Sequence, residues 1–235
     1  MTPWRAIADG IAQRAAAAGL DLAHPLNAAW YDDVVEPTWA LPDVGRRDAL
    51  AVLLASSRAL WPRFVAALRR EPARIESPDP LDDYVGDAVL AAVRPLGERW
   101  EVRLAHEPPP RRIAIQRLAH LAGFAFLGSG FLNVHPTFGP WIALRAVVVV
   151  DVPGPATRPS LADPCGGCTA SCVAARERAL AASGGTGEAE LRESWRVWLA
   201  AREACPVGAA HRYDDAQIRY TYTKDRGVLR ALVAS

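Results

Sequence analysis

Lysine is almost missing from this chain: among 235 residues Lys224 is the only one, and arginine carries the rest of the positive charge. The formal net charge is only +1, so nothing resembles the basic footprint that neutralises a nucleic-acid backbone. Nucleic acid is not an expected partner. Long hydrophobic runs are missing as well, since none approaches the roughly 18–20 apolar residues that span a bilayer. The opening stretch, MTPWRAIADGIAQR, lacks the uninterrupted apolar core of a secretory leader. The expectation is a cytoplasmic protein with no membrane partner, in a compartment where structural disulfides are rare. There is no Gly-rich phosphate loop, no G-x-S-x-G and no H-E-x-x-H. Those absences remove P-loop, serine-hydrolase and zincin chemistry from the candidates. Internal repeats are absent too, so the length speaks for one large domain or a domain with an appendage.

What is present centres on residues 111–150, RRIAIQRLAHLAGFAFLGSGFLNVHPTFGPWIALRAVVVV. The first dozen have helical spacing, with Ile113, Leu118 and Leu121 able to share a face. Gly123, Gly128 and Gly130 loosen the backbone, and Phe131 to Val134 reads as a short strand. Ile142 to Val150 is an apolar, β-branched run suited to a strand buried on both faces. The turn His135-Pro136-Thr137-Phe138-Gly139-Pro140-Trp141 is thus held between two strands, where binding residues tend to sit. Before it, Trp4 to Ala15 forms an apolar helical stripe, 24–48 is a proline-rich crossing, and Ala49 to Ala55 is a buried strand. Helices follow at Trp61–Arg70 and from Asp79-Pro80 to Val93, then a strand at Trp100–Leu104. Asp79, Asp82 and Asp83 sit in a first helical turn, where they offset the helix dipole. After 153–164, a Pro/Gly/Ser-rich connector, helical patterns cover 170–182 and 188–203. YTYTKDRGVLRAL near the end reads as a strand-like or irregular segment followed by a short helix. Strands interleave with helices without regular alternation, which predicts α+β.

FAFLGSGFLNVHPTFGPWIALRAVVVV resembles the core of the CblC-type cobalamin-processing proteins, and AAWYDDVVEPTWALP, DPLDDYV and RRIAIQRLAHLAG extend the likeness over most of 20–155. The same core is similar to the cobalamin-binding half of epoxyqueuosine reductases. The resemblance implies a nitroreductase-like α+β fold, a mixed sheet flanked by helices. Residues 1–155 would be the cobalamin-binding core and 156–235 a cysteine-bearing, mainly helical region packed on it. It further implies a corrinoid bound with its lower base detached, whose upper ligand is removed reductively or by thiol transfer. His120 matches a pocket histidine and Arg145 a glutathione-binding arginine. Beyond residue 155 the pattern departs, with Arg196, Arg202 and Arg226 in the region of the remaining glutathione contacts. A broad, flat corrin needs apolar walls with a few polar anchors. Phe131, Val134, Phe138 and Trp141 are candidates for those walls, and Gly128 and Gly130 for close backbone approach; Pro136 and Gly139 are further cofactor-binding candidates, and His135 either caps a backbone group or faces the cofactor. Trp195 and Trp198 are candidates to cover the open face, and Tyr222 or Arg226 to assist an acid step or hold an anion. The plainer alternatives are ordinary core for the aromatics, a hydrogen-bonded structural role for His120 and a solvated last turn for Tyr222 and Arg226. No D-x-H-x-x-G stretch offers cobalt a histidine, which fits a cobalt without a lower donor and hence easier to reduce.

All four cysteines lie in the last third, as Cys165-Gly-Gly-Cys168-Thr-Ala-Ser-Cys172 and Cys205-Pro206. A C-x2-C-x3-C run closed by a distant Cys-Pro is close to a ferredoxin cluster site, with one residue inserted and the fourth thiol displaced. Three readings stand at this point: an iron–sulfur cluster, most simply [4Fe–4S]; a structural zinc with four thiolates; or redox-active or buried thiols. The main functional expectation is a cobalamin reductase with decyanase or dealkylase action, monomeric or homodimeric, fed by an unidentified electron donor. The alternatives are a cobalamin chaperone with structural zinc and a cobalamin-dependent reductase related to epoxyqueuosine reductase. Glutathione and flavin use stay open.

Overall fold

The computed structural model describes residues 3–184 and 187–234. Helix α1 (Pro3–Ala17) leads to strand β1 (Leu22–Asn27), the short α2 (Ala29–Asp32), β2 (Ala49–Ser56), helices α3 (Leu60–Arg70) and α4 (Pro80–Val93), and β3 (Trp100–Leu104). Next come α5 (Ile115–Leu121), a hairpin of β4 (Phe126–Leu127) and β5 (Asn133–Val134), and the long β6 (Ala143–Pro153). The last third is helical: α6 (Cys172–Ser183), α7 (Glu188–Glu193), α8 (Trp195–Glu203), α9 (Asp215–Thr223) and α10 (Arg226–Ala234).

The main sheet runs β1-β2-β6-β3, and every pairing in it is antiparallel. Helices cover both of its faces, which is why the inner strands carry apolar residues without alternation. Along β2, Leu50, Val52 and Leu54 join Val148 and Val150 against Ile11, Phe64 and Val89 of the flanking helices. Ala51, Leu53 and Ala55 point the other way, with Val147 and Val149, toward Tyr31 and Leu118. The architecture is α+β with a helix-flanked sheet, as expected, but the sheet is antiparallel throughout and not mixed. A third cluster gathers Trp141, Leu199, Tyr213 and Ile218, while Tyr220 and Leu229 reach into the main core. Among the described residues no helix is long and apolar enough to cross a membrane.

Four local expectations need correction. Residues 22–27 open the proline-rich crossing as a strand; Pro25 is tolerated because β1 is an edge strand pairing only with β2. Phe131 and Leu132 are not strand but turn, closed by Phe131 N–H donating to Gly128 O at 2.9 Å, with Phe131 at φ 59°. The 188–203 pattern is two helices, α7 and α8, meeting at Ser194. Tyr220-Thr221-Tyr222 is helical rather than strand-like. Asp214 caps α9 by accepting the Gln217 N–H at 2.7 Å, and Tyr220 stacks near Trp61 and Phe64. Capping and burial of one face outweigh the β-preference of tyrosine and threonine.

Lys224 ends α9 at φ 54°, and its Nζ donates to Asp79 Oδ2 at 2.6 Å. Asp79 also caps α4 through the Asp82 N–H at 3.3 Å, so the acidic turn does serve the helix start. Burial pushes the Asp79 carboxyl up, but the bond and charge of Lys224 and the Asp82 N–H more than offset this, leaving it below 3.8. A depressed carboxyl stabilises the fold above its ordinary value and loses that contribution as pH falls through the folded one. Lys224→Gln is therefore expected to lower unfolding stability by about 1 kcal/mol near neutral pH. In urea unfolding at a series of pH values, the deficit should shrink as pH drops through the Asp79 transition.

Candidate functional site

The 128–141 stretch folds as two turns. Gly128 N–H donates to Leu132 O at 3.0 Å at the hairpin end, and His135 and Gly139 exchange both backbone bonds at 2.9 and 2.8 Å. His135 Nδ1 accepts the Thr137 and Phe138 N–H groups at 3.1 and 3.3 Å. Burial, with His24 and His211 nearby, lowers its pKa and favours the neutral ring that this acceptor role requires.

Gly139 meets the loop after Cys205 backbone to backbone. It has φ 55°, and a Cβ there would lie 1.7 Å from Val207 O; at Gly208, with φ 69°, a Cβ would lie 2.2 Å from Phe138 C. Only glycine fits either side of this crossing. Arg202 clamps the same junction, donating to Pro140 O at 2.9 and 2.6 Å and to Ile142 O at 3.1 Å. Its guanidinium lies 4.7 Å from the rings of both Trp141 and Tyr213.

The junction brings the four thiols together. Cys165, Cys168, Cys172 and Cys205 line one small cavity, closed on the other side by Gly128, Gly130, Leu132 and Val134. A Cβ on Gly128 would stand 2.8 Å from Cys165 Sγ, and one on Gly130 3.5 Å from Cys172 Sγ. None of the four is in a disulfide. Burial, then Asp163 and the neighbouring thiols, raises Cys165; burial raises Cys205, with Cys172 and Cys168 adding to it. Without a cation the pair is held as thiols. Among the described residues no group of three or more His, Cys, Asp or Glu is placed to hold a metal ion; what the thiols share is a cavity.

Two clefts adjoin this cavity. One, of about 340 Å³, is bounded by Gly130, Phe131, Arg176, Trp198 and Lys224, and the other, of about 320 Å³, by Gln116, Asn133, Ile142, Leu144 and Arg202. Leu132 and Tyr222 line both clefts, and Leu132 also lines the thiol cavity. Burial raises the Tyr222 hydroxyl above 10.0 against the opposing Arg202, so it stays protonated near neutrality. At the rim Phe131 is 61% exposed under Arg176, whose guanidinium lies 4.3 Å from the ring. An exposed aromatic at positive φ is the kind of strained residue that clusters at ligand sites.

Other candidate residues stand elsewhere. His120 lies outside both clefts, its Nδ1 accepting the Leu127 N–H at 3.1 Å and its ring edge-on to Phe126. His135 and Phe138 belong to a ring ladder, His24–Phe124–His135–Phe138–His211, with centroid spacings of 5.7, 5.0, 5.2 and 4.6 Å. Pro136 is exposed in its turn. Gly139 lies at the backbone crossing with Val207 and Gly208. Trp141 needs correction as a wall: it is 1% exposed and is the centre of the third core cluster, against which Trp195 packs. Arg145 donates from Nε to Ser56 Oγ at 3.2 Å and pairs with Asp82 at 3.9 Å. Leu132, Asn133 and Gly208 escaped sequence reasoning because nothing in their types marks them. Arg176 sits unremarkably on a helix, and only packing carries it over Phe131.

No family model matches the chain. The protein named cyanocobalamin reductase / alkylcobalamin dealkylase in Homo sapiens is 28% identical over 222 residues, covering 85% of this chain and 72% of that protein. Its Mus musculus counterpart is 28% identical over 145 residues, 54% of this chain and 51% of that protein. This chain thus matches about half the length of the mouse relative. The crystal structure of the C. elegans B12-trafficking protein CblC superposes with a TM-score of 0.67 at 18% identity, over 97% of this chain and 96% of that one.

The fold is CblC-like.

Epoxyqueuosine reductase is a weaker fold match, with TM-score 0.52 at 14% identity over 90% of this chain and 68% of that one. Both structural likenesses speak for the fold.

In this CblC-like fold the Gly139–Gly208 crossing is the joint to test. Gly139→Ala adds a Cβ where Val207 O already lies, at a positive φ that costs about 1–3 kcal/mol. The variant should melt earlier, and buried Cys205 should react faster with a thiol reagent under native conditions. An unchanged Cys205 rate would show that the loop does not depend on this contact.

Proposed function

We propose that this chain is a cobalamin-processing enzyme that takes the corrinoid base-off as substrate and removes its upper axial ligand reductively. Cys165, Cys168, Cys172 and Cys205 would hold an iron–sulfur cluster, most simply [4Fe–4S], as the electron relay. The observation that carries the reading is the position of Leu132, shared by the thiol cavity and both clefts. An electron carrier at the thiols would be one side chain away from a ligand in the clefts.

Support for such a group comes from the donor type and not from a preformed ligand geometry: four cysteines line one cavity, the last in a Cys-Pro pair, with Gly128 and Gly130 leaving room for sulfur, while no three of them are already placed around a metal position. A bound cluster supplies single electrons at low potential. The protein's own contribution is to seat the thiols, to line the clefts mostly with carbon and to keep a proton on Tyr222. Neither cleft is lined by histidine among the described residues, so these walls give cobalt no imidazole. In decyanation one electron reduces Co(III) to Co(II), and the Co–C bond breaks. Cyanide leaves with the bonding pair and takes up a proton from solvent, and the Tyr222 hydroxyl, held protonated by burial, would donate a hydrogen bond to the departing anion. The electron comes from an external one-electron reductant, dithionite in the test below.

The test is anaerobic purification with iron, sulfide and zinc analysis, then addition of cyanocobalamin and dithionite. The expected result is iron with sulfide, a base-off absorption shift and cyanide release above the protein-free rate. Cys168→Ser should lose iron and turnover while retaining the shift. Zinc with binding and no turnover would indicate a cobalamin chaperone instead, and absence of both iron and shift would overturn the proposal.

Thiol titration gives a second check. Because burial raises Cys165 and Cys205 above 9.0, alkylation of both in metal-free protein should be slow near neutrality and accelerate only at pH above that of a free thiol. The stabilisation gained by burying them as neutral thiols is present below the ordinary value and is lost as pH rises through the raised one. Bound metal should abolish the pH dependence of alkylation, since coordination removes the thiol proton.

A further inference from the structure

His135 holds its turn through one side-chain atom. Its Nδ1 accepts the Thr137 and Phe138 N–H groups at 3.1 and 3.3 Å, while its backbone exchanges bonds with Gly139 at 2.9 and 2.8 Å. The Phe138–Gly139 peptide fixed in this way is the one on which Gly208 rests, so closely that a Cβ added at Gly208 would strike Phe138 C and Gly139 N. The Phe138 ring also meets the ring of His211, in the same loop, edge-on at 4.6 Å. Turn and loop are thus joined through Phe138 and Gly139, and the shape of the turn depends on a nitrogen lone pair. A neutral imidazole has one such acceptor, whereas an imidazolium has none and makes both ring nitrogens donors. Asparagine or aspartate would serve this turn with an oxygen that mild acid leaves in place. Histidine puts a group there that titrates between about pH 5 and 8.

We propose that His135 is an acid-operated latch on the loop after Cys205. A proton taken from solvent onto Nδ1 breaks both side-chain bonds of the turn, sets N–H against N–H, and parts Phe138 and Gly139 from Val207 and Gly208. Released, the loop no longer presses Cys205 into the cavity shared with Cys165, Cys168 and Cys172. Two titratable rings face His135 through the ring ladder, His24 from β1 and His211 from the loop itself. Phe124 and Phe138 between them are uncharged, and no carboxylate among the described residues offsets a charge on His135. His24 is bonded through Nε2 to Ala122 O at 2.9 Å. Beside His211, Arg58 donates to Ala210 O at 3.2 Å, and Arg212 is paired with Glu203 and Asp215, each at 2.8 Å. Protonated rings in this ladder therefore repel one another. Burial, then His24 and His211, lowers His135 below 6.5. By linkage, the advantage of the closed turn is complete above the ordinary value and is lost as pH falls through the lowered one. His135 lines neither cleft, so the latch stands whether or not the clefts take a corrinoid.

The test is hydrogen–deuterium exchange of the full-length protein from about pH 7.5 down to about pH 4.5. It is read in peptides spanning 135–141 and 205–211 as protection factors, which remove the pH dependence of the intrinsic rate. Wild type should lose protection in both peptides by about tenfold or more, the scale of one lost hydrogen bond. His135→Asn keeps an oxygen that accepts from the N–H groups two and three residues on. It should match wild type near neutrality and hold its protection within about twofold throughout. His135→Ala has no acceptor and should be as open near neutrality as wild type is in acid. Wild-type protection that survives the whole series would overturn the latch. So would a His135→Asn chain that opens as steeply as wild type, or a His135→Ala chain as protected as wild type near neutrality. Should a variant not fold, wild type alone decides through the nitrogen resonance of His135 Nδ1. That nitrogen should pass from acceptor to protonated form as protection is lost, and opening while it is still an acceptor would overturn the proposal.

Discussion

Two glycines with left-handed backbones, Gly139 and Gly208, let the turn before β6 and the loop after Cys205 touch main chain to main chain. Much of the site depends on that contact. Cys205 is far in sequence from Cys165, Cys168 and Cys172, and two helices, α7 and α8, separate it from α6. It reaches their cavity because Val207 and Gly208 are pressed onto Phe138 and Gly139. Arg202 holds the same joint from the other side, filling carbonyls that the turn leaves open and stacking between Trp141 and Tyr213. A cation on two ring faces with its donors satisfied by carbonyls is a durable way to bury an arginine.

From that joint the helical third is tied down along two further lines. Trp141 leaves the turn and enters the cluster built by Leu199, Tyr213 and Ile218. Tyr220 and Leu229 continue into the core of the main sheet, and Lys224 pins the end of α9 to the start of α4 through Asp79. Asp82, close by, is pulled up by burial, while Asp79 is held down despite it. The difference is that Asp79 is bonded directly to the ammonium. Both clefts lie where this third meets the 111–145 stretch, and Tyr222 stands at their shared wall. Position at a seam between layers is common for ligand sites, because a seam offers concavity that a single packed layer does not.

The thiol cavity and the clefts make one arrangement through Leu132. Burial raises Cys165 and Cys205, so both resist ionisation and the cavity between the four cysteines is lined by neutral thiols near neutrality. An apolar residue between the two compartments separates their solvents while keeping them close.

Composition and periodicity alone determined a good part of this molecule. The apolar runs Ala49–Ala55 in β2 and Ala146–Val150 in β6 are buried strands because no other placement hides such consecutive carbon-rich side chains, and α3 and α4 follow from apolar spacing, α4 with an acidic, proline-marked start. The grouping of the cysteines was legible too, and the fold gathers them at one cavity, while the motif around 120–145 carried the resemblance to CblC-type proteins, whose fold the chain shares. Tertiary structure decided the rest. The edge position of β1 makes Pro25 harmless, and a cap with one buried face makes YTYT a helix. Trp141 becomes core and Gly139 a point of backbone contact, although both sit in the motif. Whether a side chain faces a cleft or a core depends on what a distant segment covers, and that coverage rests on pairings such as Gly139 with Gly208 that leave no mark in local sequence.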